Sequence, residues 1–159
     1  MARRGWLDLW KQEMKEPHMD TERMVDELVR DEGMRLRVYT DSVGVATIGV
    51  GRNLRDTGIT MEEAYHMLHN DLDRVQVDLD EHLPWWRNLD EVRQRVMVNL
   101  CFNLGIERLL GFHRTLTLIE THRYSEAATE LSMSKWHQQV GERALRLEEM
   151  MRNGTPGNA

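Results

Sequence analysis

The stretch Asp31-Glu32-Gly33-Met34-Arg35-Leu36-Arg37-Val38-Tyr39-Thr40-Asp41, continuing through Ser42-Val43-Gly44-Val45-Ala46 to Thr47-Ile48-Gly49-Val50-Gly51, changes the period of the chain. Upstream of it, Met24, Val25, Leu28 and Val29 recur at the spacing of one helix face. Asp20 or Thr21 stands where that helix needs a cap, and the pattern predicts a helix through Arg30. Inside the stretch, Leu36, Val38 and Tyr39 precede the polar, glycine-containing segment Asp41-Ser42-Val43-Gly44, and Val45 to Val50 follow it. β-Branched and aromatic residues on both sides of such a turn predict a β-hairpin. Gly49 and Gly51 then loosen the chain.

From Thr60 onward the chain reads as helical. Thr60-Met61-Glu62-Glu63 is a capping box, and its helix runs through Ala64, Leu68, Leu72 and Val75 to a stop before Pro84. Further helices are predicted at about 89–104, 115–122, 125–133 and 136–151. The fold class is therefore α+β and mostly helical. A small hairpin lobe at about 30–60 precedes a linking helix at about 60–82 and a helical lobe at about 85–152, with a ligand cleft expected between the lobes. Residues 1–19 read as an N-terminal extension. Trp6, Leu7, Leu9, Trp10 and Met14 suggest a short amphipathic helix ended by Pro17, whose tryptophans are expected to pack on the protein's own body. A mobile tail is expected from residue 155.

The chain has 159 residues, 40% hydrophobic and 30% charged, which is an ordinary globular composition. The net charge of −6 is uneven: residues 61–91 carry nine acidic groups against Arg74 and Arg87. No basic stripe suits a nucleic-acid backbone, and no apolar run approaches the ~20 residues that span a bilayer. Neither nucleic acid nor stable membrane insertion is expected. Arg3 and Arg4 could begin a leader, but Asp8, Lys11, Gln12 and Glu13 interrupt its apolar part, so the product is expected to stay in the cytoplasm of the cell that makes it. Cys101, among Leu100, Phe102 and Leu104, is expected to be a buried, inert thiol.

Glu32 and Asp41, nine residues apart, are the first candidates for chemistry. One lies at a helix end before Gly33 and the other in a wet turn. Paired acid–base work needs two carboxyls whose surroundings push their proton affinities apart. Thr47, on the returning strand, could hold a water beside Asp41. The chain has 27 acidic residues, so spacing alone leaves a solvated pair at a helix end as the alternative. Glu63-x-x-His66 looks like half of a di-iron site without its second half, and Asp71, Asp73, Asp78 and Asp80 lack an EF-hand glycine. No metal and no organic cofactor is expected. Trp85 and Trp86, after Pro84, are expected to pack against the linking helix.

The quoted stretch resembles the signature of phage-type lysozymes, glycoside hydrolase family 24: Glu-Gly, then Tyr-x-Asp, a glycine turn, and Thr-Ile-Gly-x-Gly. The similarity continues through Asn99-Leu100-Cys101-Phe102-Asn103-Leu104-Gly105, Gly111-Phe112, Glu126-Ala127-Ala128, Ser134-Lys135-Trp136 and Glu142-Arg143-Ala144, and covers about residues 22–154. It implies a lysozyme-like fold. It also implies hydrolysis of the β-1,4 bond from N-acetylmuramic acid to N-acetylglucosamine in bacterial peptidoglycan, with inversion. Carried over, Glu32 is the general acid, and Asp41 and Thr47 position and activate the water. Arg143 matches an arginine that pairs with the catalytic glutamate, and Phe102 a substrate-cleft position. Asn103 falls where T-even members have a glutamine, and Trp136 where their buried tryptophan packs beside it. Asn53, Thr115 and Glu130 stand at substrate positions where those members have a leucine, a serine and an asparagine.

The segment after Leu54 is shorter than in the family, so the small lobe lacks a helix or loop. As implied partners and place, the resemblance gives peptidoglycan as substrate, a monomer, and confinement to the host cytoplasm until a holin opens the membrane. Two other readings share these residues. A lytic transglycosylase would use the glutamate without water, which leaves Asp41 and Thr47 without a purpose. A wall-piercing virion component would be expected to carry fused tail domains, which are not legible here, although residues 1–19 could be a docking remnant.

Overall fold

In the computed structural model, residues 19–155 are described. The expected extension helix at residues 1–19, with Trp6 and Trp10, and the tail beyond Thr155 lie outside them, apart from Met19. The chain divides into two compact units, one ending at Thr60 and the other beginning at Met61.

In the first unit, helix α1 spans Thr21–Glu32. Asp20 is its cap: the carboxylate accepts the Arg23 N–H at 3.1 Å. Glu22 in the first turn and Arg30 in the last complement the helix dipole. The helix runs two residues past Arg30 and stops where the Gly33 N–H closes on the Val29 carbonyl at 2.9 Å. Strands β1 (Arg35–Thr40), β2 (Ala46–Gly49) and β3 (Arg52–Asn53) form an antiparallel sheet in the order β1-β2-β3. The expected hairpin is β1–β2, with Tyr39 opposite Thr47 and Thr40 opposite Ala46. Its register slips between Arg35 and Tyr39. Strand β3 was not expected; it is two residues long and pairs Thr47 with Asn53 and Ile48 with Arg52.

The second unit is helical: α2 (Met61–His82), a 3-10 turn (Pro84–Asn88), α3 (Glu91–Leu104), α4 (Ile106–Leu110), α5 (His113–Glu120), α6 (Tyr124–Ser132), α7 (Lys135–Val140) and α8 (Glu142–Asn153). The long helix expected as a linker is grouped with this unit. The single helix expected at 136–151 is two. Gly141 breaks it at φ +55 and ψ −122, a backbone conformation open to glycine and strained for a residue with a Cβ. The core gathers Leu79, Trp86, Val96, Met97, Leu100, Leu109, Ile119, Leu131 and Met151. Trp86 is buried as expected, and its indole N–H donates to Asp80 of α2 at 2.8 Å. Cys101 is buried too, and burial, helped by the charge of Asp78, pushes its thiol up to about 11, which keeps it unreactive.

Arg93 ties the end of the chain to α3. Its guanidinium donates to the carbonyls of Met151 at 2.8 Å and Arg152 at 3.0 Å, in the last turn of α8, where no intrahelical partner exists. It also donates to Asp90 at 2.6 Å and lies 3.7 Å over the Tyr124 ring. Burial pushes the Asp90 carboxyl up, but hydrogen bonds from the Arg93 side chain and backbone and from Thr155 outweigh it and hold the group at about 2. A carboxyl depressed from 3.8 to about 2 stabilises the fold above pH 3.8 and loses that contribution as pH falls toward 2. The linkage amounts to about 2 kcal/mol. Asp90→Asn should therefore melt lower than wild type at neutral pH, and the gap should close on acidification toward pH 2. A gap independent of pH, measured by thermal melts across that range, would refute the linkage.

Candidate active site

Glu32 is the last residue of α1, and it is exposed. Its Oε2 lies 3.3 Å from where a Cβ on Gly51 would stand, so the carboxyl rests against the glycine that closes the β2–β3 turn. Gly51 has φ +71, so a side chain there is strained as well as crowded. Gly51→Ala is expected to lower activity about tenfold or more by displacing the Glu32 carboxyl. The accompanying loss of stability should be only about 1–2 kcal/mol. Activity and melting temperature measured together check this; unchanged turnover would show that the contact does not matter.

Asp41 is fixed by its own turn. Its Oδ1 accepts the N–H of Val43 at 2.9 Å and of Val45 at 2.8 Å. The Val45 carbonyl accepts the Asp41 N–H at 2.9 Å and the Thr47 hydroxyl at 3.0 Å. The backbone of Val45 therefore joins the two candidate side chains. Thr47 is the one buried side chain among the described residues of this unit, at 3% exposure. With its proton donated to Val45, its oxygen has only lone pairs left to offer. Asp41 Oδ2, free of the bonds that hold Oδ1, is likewise an acceptor. Asp41 and Thr47 thus each keep an acceptor oxygen of the kind to which a water donates. Asn53 sits opposite Thr47, but both ends of its amide serve the next turn: Oδ1 accepts the N–H of Arg55 and of Asp56, each at 2.9 Å, and Nδ2 donates to Asp56 at 2.8 Å.

The remaining candidates lie in the helical unit. A groove of about 610 Å³ there is lined in part by Phe102, Asn99 and Arg143 together with Leu68, Leu72 and Val98. Asn99 Oδ1 accepts from Arg143 Nε at 2.9 Å and Nη2 at 2.6 Å. Asn103 accepts the Trp136 indole N–H at 2.8 Å, which gives contact to a pair that the family resemblance only placed side by side. Thr115 and Glu130 share a second groove of about 470 Å³. Thr115 is buried, and Glu130 is ion-paired with Arg114 at 2.9 Å. Sequence reasoning missed Asn99, which anchors Arg143 from 44 residues away, and the parts played by Val45 and Gly51. Gly51 did carry a signal, as the last glycine of Thr47-Ile48-Gly49-Val50-Gly51. Among the described residues, no group of three His, Cys, Asp or Glu side chains is placed to hold a metal, and no helix is long and apolar enough to cross a membrane.

A helix ending in Glu32, a small three-stranded sheet whose first turn fixes Asp41, and an all-helical unit after them make up the lysozyme-like α+β architecture. The model of the phage lysozyme family matches residues 29–152, which include every candidate residue above. The chain belongs to the phage lysozyme family, a family of lysozyme-type hydrolases. It is 28% identical to the probable T4-type lysozyme 1 of Dictyostelium discoideum, over 82% of this chain and 94% of that one. It is 30% identical to the endolysin of Salmonella phage P22, over 65% of this chain and 75% of that one. It is also 31% identical to the pre-baseplate central spike protein of Enterobacteria phage T4, over 82% of this chain but only 28% of the spike protein's length.

Proposed function

We propose that the chain hydrolyses the β-1,4 bond between N-acetylmuramic acid and N-acetylglucosamine in bacterial peptidoglycan, as an endolysin that frees phage progeny by lysing the host. The observation that carries this reading is the shared use of Val45, which fixes the Asp41 carboxylate and the buried Thr47 hydroxyl and leaves each with an acceptor oxygen for an attacking water. Glu32 protonates the leaving glycosidic oxygen. Asp41 takes a proton from the water, Thr47 orients it, and the water attacks the anomeric carbon from the opposite face. Phe102, Asn103, Thr115, Glu130 and Arg143 contribute saccharide contacts, whereas Asn53 acts mainly through its turn. In this reading the protein works as a monomer and waits in the host cytoplasm until a holin opens the membrane.

Digestion of purified peptidoglycan tests the bond. Borohydride reduction of the products should convert muramic acid ends to muramitol. Reduced glucosamine ends would move the cut to the other linkage, and anhydro-muramic ends would make the protein a lytic transglycosylase. A second reading is favoured by the similarity to the phage T4 spike protein. The same hydrolysis would then be delivered by a virion component that opens the wall from outside. Protein found in purified virions would support that placement, and protein found only in the lysate would support the endolysin.

A further inference from the structure

Helices α7 and α8 meet at Gly141, and a side-chain hydrogen bond spans the elbow: His137 Nδ1 lies 2.6 Å from Glu148 Oε1. Glu148 is 6% exposed, one of the few charged or polar side chains buried among the described residues. Apolar residues at both positions would join the helices at equal or greater stability, because desolvating a carboxylate is costly. A hydrogen bond adds direction. Beside His137, Trp136 donates to Asn103; in the first turn of α8, Arg143 donates to Asn99. Both substrate-side contacts of this region therefore hang on one elbow, whose glycine has little conformational preference of its own.

We propose that His137 and Glu148 are positioning residues, a latch across Gly141 that sets Asn103, through Trp136, and Arg143 for glycan binding. The proposal rests on the lysozyme reading above. It is tested in the Glu32→Gln background, where a soluble N-acetylglucosamine–N-acetylmuramic acid oligosaccharide with its stem peptides can be bound without being cut. His137→Ala should weaken the dissociation constant about tenfold. His137→Asn, whose amide nitrogen takes the place of Nδ1 and can still donate to Glu148, should restore it. The apolar double variant His137→Leu/Glu148→Met keeps the helices joined without direction, so it should remain folded yet bind weakly. The Trp136 indole N–H resonance supplies a second readout that needs no glycan: it should shift in His137→Ala and in the double variant, and return in His137→Asn. Unchanged affinity in a folded apolar variant, or an indole resonance that does not move, would overturn the latch. Failure of the Glu32→Gln parent to bind glycan would instead sink the lysozyme reading, and the indole resonance would still decide whether the latch exists.

Discussion

Glu32→Gln should abolish lysis of outer-membrane-permeabilised Gram-negative cells while leaving the fold intact. Glutamine keeps the size of the side chain, so the contact with Gly51 and the end of α1 survive. The residue is exposed, and no core packing depends on it. What disappears is the proton that must reach the leaving oxygen. General acid catalysis is worth roughly 10²–10⁴ in rate, or about 3–5 kcal/mol of barrier. Turbidity loss and thermal melting, measured on the same preparations, read both parts. Activity close to wild type would remove Glu32 from the chemistry, and a large fall in melting temperature would turn its role into a structural one.

Asp41→Asn is expected to have the next largest effect. Asn can keep a carbonyl oxygen at the Oδ1 position, where the Val43 and Val45 amides are accepted, so the hairpin turn should persist. At the other position an NH₂ replaces an acceptor, and a donor cannot take the water's proton. Activity should drop on the order of 10²-fold with little change in stability. Asp41→Ala should lose comparable activity and also destabilise the turn, because two backbone N–H groups lose their partner. If both variants lost stability alike, the turn itself would be the cause of inactivity and the water mechanism would lose its support. Turnover and melts of the two variants side by side separate these outcomes.

What was legible in the sequence is what short-range rules carry. Asp20 caps α1 because a carboxylate ahead of a helical face finds an N–H three residues on, and Gly44 between Tyr39 and Thr47 announces the hairpin. The break at Gly141 was not legible, because apolar spacing runs on from Trp136 and Val140 into Ala144 and Leu147. Ile106–Leu110 and Arg52–Asn53 are too short to show a period. Glu32 was a candidate by its place at a helix end, but only the family resemblance raised it above a solvated carboxyl, since the chain offers 27 acidic residues from which to choose. The partners that hold the site depend on three-dimensional closeness. Asn99 reaches Arg143 from another helix, Glu148 reaches His137 across an elbow, and Gly51 meets Glu32 after an intervening hairpin. No pattern in a single sequence encodes such pairs.

The anomeric configuration of the first products tests the central claim most directly. A water held by Asp41 and Thr47 opposite a proton from Glu32 must invert the anomeric carbon, so NMR of an early digest should show new muramic acid ends in the α configuration before mutarotation mixes them. New ends in the β configuration, or anhydro ends formed without water, would contradict it.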